Sequence, residues 1–521
     1  MTNSDTLGAA LELAWNTWPE RVGLVFCGRS MTYGQLQMAV ENLAATYRGL
    51  DVRRGDRIIC QLSNCPEHIV ALGAAWMCSA VHVGVDQQLT SSELSSLIEF
   101  TGATTLLFEA AGKSLDPFLP LRLLRRKHPH LRIIVTGHPS LPEELNLFRW
   151  DSVTKKSEHQ SLAVTDRPSS EDPAIIFFTS GTTGKPKAPL GFHGNLCTRW
   201  RRLADWLKFS PEDVHLGHLP LAHGFGLMLA VTALLTGGRL VLFNGFSRKD
   251  VFEAVEQQRV TVLNGSSTHF RLLIDHVNSK GGDVSSLRIG VGSAAPFPPS
   301  LIRSILDNLK IQFMFMYGAS EGVGVVTTDA EDMLRGSVGR PAPGSVTILD
   351  ADRNVLPAGE IGEIAFSRKV FRVRYWAPPT SVASVPEDTD WYYSGDYGRL
   401  DGEGRLYVLG RVKHQINRGG LKVDPVEVEN ALLECPAIAD AAVIGVNDHI
   451  LGQIVCACVV PVRDEAPSLE QLRSFLGDVL ASYKLPEELR VLECIPRTRT
   501  GKVNHELLQA RINNNGGAKS V

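Results

Sequence analysis

Nine cysteines are scattered over 521 residues without the paired spacing of a disulfide framework. That excludes a disulfide-stapled secreted scaffold and predicts reduced thiols in a cytoplasmic setting. Cys456 and Cys458 alternate along one strand-like run, share a face, and read as core packing rather than as metal ligands. Charge of one sign is lacking too: 53 basic residues face 56 acidic ones, for a net charge of −3. A broad polyanion-binding surface, and with it nucleic acid as a partner, is not implied. The basic run "LRLLRRKHPHLR" (121–132) reads as a solvated helix face. Long hydrophobic runs are scarce. The longest, "IVALGAAWMCSAVHVGV" (69–85), is short for a membrane span, contains His82 and is rich in small residues, so it predicts a buried helix passing into a strand. The first residues, "MTNSDTLGAA", lack a basic-then-apolar signal pattern. No internal repeat is present.

What remains is an ordinary globular composition, 44% apolar and 21% charged, with enough length for about three or four domain-sized units. To about residue 330, apolar strands such as "RIIVTG", "AIIFFTS", "RLVLF", "VTVLNG" and "LRIGVG" alternate with amphipathic helices. That predicts α/β layers with largely parallel strands. From about 336 to 410, short β-like runs separated by Gly, Pro and Asp turns predict a β-rich subdomain. After "GRVKHQINRGG" (410–420) comes a compact α+β unit of about a hundred residues. It holds a helix in "PVEVENALLE", strands in "AAVIGV" and "QIVCACVVP", and a helix in "SLEQLRSFLGDVLA". The tail "NNNGGAKSV" reads as disordered.

The stretch "FFTSGTTGKPKA" (177–188) puts glycines, hydroxyls and lysines after a buried strand. Such a loop suits phosphate, because glycine lets backbone N–H groups approach and the hydroxyls and lysines supply donors and charge. It fails the G-x-x-x-x-G-K-[ST] pattern: Thr179 stands in place of the first glycine, and Pro186 follows Lys185. From the residues alone, a different phosphate loop and a polar surface turn both stand. "GVGSAA" (290–295) matches a loose dinucleotide fingerprint. Prolines 296, 298 and 299 follow where a helix should open, and no acidic residue ends a next strand, so that reading is rejected. His215, His218 and His223 lie in "VHLGHLPLAHGFG" without a helical zinc pattern. His223 beside glycine reads either as a pocket wall or as a satisfied core histidine.

Six motifs then stand in one order: "TSGTTGKPK" (179–187), "PLAHGFG" (220–226), "MYGASEG" (316–322), "YSGDYG" (393–398), "GRVKHQINRGGLKVDPVEVE" (410–429) and "RTRTGKV" (497–503). Together with "MTYGQL" (31–36) and "RRGDRIICQLSNCPEHIVALGAAWMCSAV" (53–81), they make nearly the whole chain resemble the adenylate-forming superfamily of acyl- and aryl-CoA synthetases, adenylation domains and luciferases. The resemblance implies an α/β fold: a large N-terminal AMP-binding domain over 1–412, with two α/β layers and a β-barrel, and a small, mobile α+β C-terminal domain over 413–521. It implies ATP, Mg²⁺ and a thiol acceptor. In that pattern Thr179, Ser180, Gly181, Thr182, Thr183, Gly184 and Lys187 hold the β- and γ-phosphates. Glu321 binds Mg²⁺ and Ser320 touches the α-phosphate. Tyr317, followed by Gly318, stacks on adenine, with Gly292, Ser293 and Ala294 as the opposite wall. Asp396 accepts from the ribose hydroxyls, Arg411 reaches ribose or phosphate, and Lys502 bridges the substrate carboxylate and the α-phosphate. Lys413 is the hinge, and Gly419 and Gly420 line a pantetheine tunnel. Ser320 and Ser394 replace the more usual threonines and keep the hydroxyl. His414 and Asn417 are less common choices near the hinge.

The implied reaction is activation of a carboxylic acid as acyl-AMP with release of pyrophosphate, followed by acyl transfer to CoA. Loading the phosphopantetheine of a separate carrier protein is the alternative. A non-catalytic acyl or nucleotide binder is disfavoured because the catalytic set is intact. The residues aligned with the acyl pocket are His223, which also belongs to the catalytic set, Gly224, Asn264, Gly290, Met316, Gly322 and Val323. They are mostly small or apolar, which suits an aryl or aliphatic acid. Amino-acid-activating relatives carry an acidic residue where Gly224 stands, so an α-ammonium group is not expected on the substrate.

Overall fold

The computed structural model describes residues 5–110, 116–154, 167–178, 187–244, 247–376, 390–462, 466–498 and 502–514. Two large sheets organise its first three hundred residues. One sheet runs, in spatial order, Gly324–Thr327, Gln312–Gly318, Ile289–Gly292, Val262–Gly265, Val214–Gly217, Arg239–Leu242, Val22–Phe26 and Arg29–Thr32. All its neighbours pair in parallel except the two edge hairpins. The other runs Phe148–Arg149, Arg132–Thr136, Thr105–Glu109, Arg57–Gln61, Val81–Gly84, Pro173–Ile176 and Leu190–Phe192. Only its last pair is antiparallel. These are the parallel layers expected from apolar strands alternating with helices. The 69–85 run divides as expected into the helix Pro66–Met77, opened by its proline, and the strand Val81–Gly84.

The principal core lies between the two sheets. Leu24, Leu240 and Leu242 of one meet Ile58, Cys60, Leu107 and Ile175 of the other through the helices Leu7–Thr17, Tyr33–Gly49, Pro66–Met77 and Gly224–Leu235. "MTYGQL" marks the start of one of these helices. Thr32 caps Tyr33–Gly49 and Gln35 reciprocates, a capping box that satisfies two end donors. In the basic helix Leu119–Lys127, Arg126 and Lys127 face solvent while Leu121 and Leu124 are buried. Arg125 departs from the solvated-face expectation, donating to the carbonyls of Leu145 at 3.1 Å and Leu131 at 2.6 Å.

The β-rich segment forms an antiparallel four-stranded sheet among the described residues: Val346–Leu349, Gly362–Ser367, Trp391–Leu400 and Leu406–Arg411. From Ile416 onward the strands pair in a separate sheet. Leu421–Val423, Ile416–Arg418, Gly452–Pro461 and Ile438–Asp448 follow one another, and Glu488–Val491 adds in parallel to Gly452–Pro461. Cys456 and Cys458 share the apolar face that packs on Leu508 and Ile512. The helix expected across "SLEQLRSFLGDVLA" stops at Gly477.

A buried carboxyl makes this last unit sensitive to pH. Glu429, on the helix Pro425–Leu433, accepts a hydrogen bond from the Val443 amide at 2.8 Å. Burial pushes its acid form up to about 8 from an ordinary 4.5, against the pull of that amide. Burial likewise raises neighbouring Asp424, to about 7. A folded-state pKa raised above the unfolded value means that folding takes up a proton. Stability therefore falls as pH rises from about 4.5 to about 8, by at most roughly 1.4 kcal/mol per pH unit for each group. Glu429→Gln keeps the acceptor and removes the proton. Its thermal midpoint should change less between about pH 5 and about pH 8 than that of the unaltered chain. An equal change in both would show that Glu429 is ionised in the folded state.

Candidate active site

A glycine-lined hairpin builds the first wall. The strand Gln312–Gly318 turns back as Gly324–Thr327, with Gly318 opposite Gly324. A Cβ on Gly318 would lie 2.5 Å from the Val323 carbonyl oxygen, and one on Gly324 2.6 Å from that of Tyr317. No larger residue fits either position without moving backbone. The turn is closed by Ala319 N–H donating to Val323 at 3.0 Å and Gly322 N–H donating to Ala319 at 2.9 Å. It presents Ser320 and Glu321, both half-buried, at the carboxyl end of the sheet. Beside it, the strand Ile289–Gly292 runs into Ser293, whose amide donates to Gly265 at 3.1 Å. Ala294 follows with φ of +70°. A left-handed alanine costs roughly 1–2 kcal/mol, the kind of strain that collects at functional sites.

The second wall comes from the four-stranded sheet, where Asp396 stands in register with Arg411. The Tyr317 hydroxyl donates to Asp396 Oδ2 at 2.7 Å, and Arg411 Nε pairs with Oδ1 at 2.9 Å. The Asp396 amide donates to Ser394 Oγ at 3.0 Å, and that hydroxyl donates to the Ile364 carbonyl at 2.7 Å. Serine thus supplies here the hydroxyl that the more usual threonine would. Burial pushes the Asp396 acid form up, while Arg411, the Tyr317 hydroxyl and Lys502 pull it back. Burial, then the negative charge of Asp396, raise the Tyr317 phenol.

Lys502 reaches this pocket from the far end of the chain. Its loop is pinned by the Thr498 amide donating to the Lys502 carbonyl at 2.8 Å, and by Arg497 paired with Asp440 at 2.7 Å. The residue as a whole is exposed. Dehydration of the ammonium and repulsion from Arg411 lower its pKa, and Asp396 and Glu321 oppose them. One further contact holds the carboxyl-terminal unit here, Arg271 donating to the Ala439 carbonyl at 3.1 Å, while inside that unit the rings of His414 and His505 lie 3.9 Å apart. Sequence reasoning missed two tyrosines. The Tyr375 hydroxyl donates to Glu321 Oε1 at 3.0 Å, and Tyr392 bonds the same carboxylate. The one available signal was the aromatic pair just before "SGD".

The structure brings together Tyr317, Glu321, Asp396, Arg411 and Lys502, residues up to 185 positions apart in sequence. His223 precedes the first turn of Gly224–Leu235, and Gly224 faces the Phe177 ring, 3.5 Å from where its Cβ would be. Met316 is half-buried beside this helix. Asn264 is buried and donates to the Leu216 carbonyl at 2.8 Å, leaving its Oδ1 without a protein partner. Gly290 lies under Ile311 and Phe313, and Val323 packs into the apolar core of the four-stranded sheet. Of the other histidines, His215 packs edge-on against Phe209 and His218 against His269. Lys187 is exposed just before Leu190–Phe192. Thr179, Ser180, Gly181, Thr182, Thr183 and Gly184 lie outside the described residues. Lys413 is exposed in a short 3₁₀ turn, and Gly419 and Gly420 form the hairpin between Ile416–Arg418 and Leu421–Val423.

Glu321 fits a hard cation held mainly by nucleotide phosphates, because such a metal needs only one or two protein carboxylates. Among the described residues no group of three or more histidine, cysteine, aspartate or glutamate side chains could hold a metal by itself. Among the same residues no helix is long and apolar enough to cross a membrane.

Comparison with known proteins agrees with this architecture. The family model described as "AMP-binding enzyme" matches residues 11–376, and "AMP-binding enzyme C-terminal domain" matches 427–502. The chain belongs to this family, within the adenylate-forming superfamily, as the six ordered motifs led one to expect. It is 32% identical to triostin synthetase I of Streptomyces triostinicus, over 97% of this chain and 94% of that protein. It is 31% identical to a feruloyl-CoA synthase of an Amycolatopsis species, over 91% of this chain and 93% of that one. Among solved structures, the ATP-bound RpMatB-BxBclM chimera B3 superposes with a TM-score of 0.84 at 25% identity, covering 98% of this chain and 99% of its own.

Proposed function

We propose that this protein is an ATP-dependent acid–thiol ligase that converts a carboxylic acid to its acyl-AMP and then to the CoA thioester. The observation that carries the proposal is the meeting of Lys502 with Asp396, Arg411 and Glu321 around Tyr317. A free carboxylate is a poor electrophile, because its leaving group would be oxide. Attack of its oxygen on the α-phosphorus of ATP forms an acyl–phosphate bond and breaks the bond to pyrophosphate. Two anions must meet, so fixed positive charge is required where they converge. Lys502 and Arg411 supply it. Asp396 takes the ribose, Tyr317 offers its ring to adenine, and Ser320 bonds the α-phosphate. Glu321, oriented by Tyr375 and Tyr392, would hold Mg²⁺, which would supply charge neutralisation at the phosphates. In the second step a thiol adds to the acyl carbonyl and AMP departs. The mobile unit is proposed to span 413–521, turning about Lys413 between the two steps, with Gly419 and Gly420 then lining the thiol's path.

The test is pyrophosphate exchange over a panel of aryl, aliphatic and α-amino acids, followed by product analysis with CoA and with holo carrier protein. Exchange is expected to need an acid and Mg²⁺, and CoA thioester is expected as the product. Gly224 offers an α-ammonium no counter-charge, so deaminated acids should outrun their α-amino counterparts. Release of inorganic phosphate without AMP would refute adenylation. Thioester on the carrier protein alone would reassign the acceptor.

A further inference from the structure

Arg199 lies on the helix His193–Leu207 and is not used by the chemistry above. Leu203 and Leu207, one and two turns further along its face, are buried in the cluster that holds Val291 and Met314, with Met316 against it. That face of the helix therefore looks onto the strand ends beneath the candidate acyl pocket. Arg199 is half-buried there, and a Cβ on Gly322 would lie 2.5 Å from its Nη1. Gly322 has φ of +82° and directly follows Glu321, so the guanidinium fills the space beside the catalytic turn.

Two other guanidiniums are paired with carboxylates: Arg405 with Asp332 at 2.6 Å, Arg288 with Asp213 at 2.6 Å. Among the described residues, no hydrogen bond or ion pair reaches Arg199. Burial shifts its ionisation downward, and among the described residues no neighbouring carboxylate compensates. A half-buried cation without a counter-ion carries a desolvation cost that a partner would offset. It is understandable if the counter-ion arrives with the substrate, because planar guanidinium matches a carboxylate in two-point geometry.

We infer that Arg199 reads a second carboxylate on the acid being activated, so that the preferred substrate is a dicarboxylic acid whose distal group pairs with this guanidinium. The inference rests on the adenylation reading and narrows it. One carboxylate lies between Lys502 and the α-phosphate and reacts. The other is carried across the pocket past Gly322, where only the absent side chain leaves room.

Pyrophosphate exchange with matched acids tests this: benzoate against isophthalate, butanoate against glutarate, and longer homologues of both series. In the unaltered enzyme a dicarboxylate should exceed its monocarboxylate partner in kcat/KM by roughly a hundredfold. Arg199→Met should remove that advantage, chiefly through the KM for the acid, and leave the KM for ATP and the monocarboxylate rates unchanged. Arg199→Lys should fall between. If monocarboxylates support exchange and no dicarboxylate outruns its partner, this inference fails and adenylation stands. If no acid in either series supports exchange, both fail. If Arg199→Met raises the KM for ATP and lowers both series equally, the guanidinium serves the nucleotide and the inference is overturned. Should the variants not fold, the preference of the unaltered enzyme decides alone.

Discussion

Lys502→Ala should slow acid-dependent pyrophosphate exchange by roughly 10²–10³-fold, as expected for losing one preorganised charge at the point where two anions meet. Thioester formation from preformed acyl-adenylate should be largely kept, because by then no second anion has to be brought to the phosphate. Lys502 lies near Asp396, Glu321 and Arg411, so its removal acts on the first step. Its loop is anchored independently, by Arg497 on Asp440 at 2.7 Å and by backbone bonds. The substitution should therefore leave the fold intact. Equal loss of both half-reactions in a folded variant would show that the lysine is not confined to adenylation.

Gly420→Leu should do the reverse: abolish transfer to the thiol while exchange stays within a few-fold. Gly420 sits at φ of +90°, and a Cβ there would meet nothing within 4 Å. The added bulk thus points away from the protein in this arrangement and obstructs only a later one. The backbone strain costs roughly 1–2 kcal/mol, which an unchanged exchange rate would show to be tolerated. Lys413→Pro offers an independent route to the same phenotype. It stiffens the 3₁₀ turn Val412–His414, about which the carboxyl-terminal unit would swing. If exchange and transfer fall together in both variants while the chain remains folded, a single arrangement performs both steps.

Much of this was legible in the sequence, for identifiable reasons. Strands such as Arg132–Thr136 and Arg239–Leu242 coincide with short apolar runs because both faces of a parallel strand are covered. The assembly of Tyr317 with Asp396 and Lys502 followed from motif order alone. Periodicity could not have supplied it, since the contact between Tyr317 and Asp396 spans 79 positions. The support of Glu321 was not legible. Tyr375 is 54 residues away and belongs to no quoted motif, so only the folded chain reveals its bond. Arg199 was hidden differently. In "TRWRR" it resembles one more solvated cation, and its neighbours Trp200 and Leu203 give no sign that it turns inward. The buried carboxyl of Glu429 was equally silent, because a helix reading "PVEVENALLE" gives it no special place.

Each oxygen of the Asp396 carboxylate already accepts from one protein donor, the Tyr317 hydroxyl on one and Arg411 on the other. A ribose bonding this carboxylate would share its oxygens with the resident donors, and where it displaced one of them the event would be a substitution. Its net affinity is the difference between two sets of bonds, and the same difference eases departure of the spent nucleotide. Arg411 is the exposed donor of the two, standing at the end of the strand Leu406–Arg411 just before the 3₁₀ turn Val412–His414. Its release from Asp396 would loosen the strand end about which the carboxyl-terminal unit is proposed to turn. Loading the pocket and freeing the swivel would then be one displacement, with nucleotide occupancy setting the time at which the enzyme can change posture.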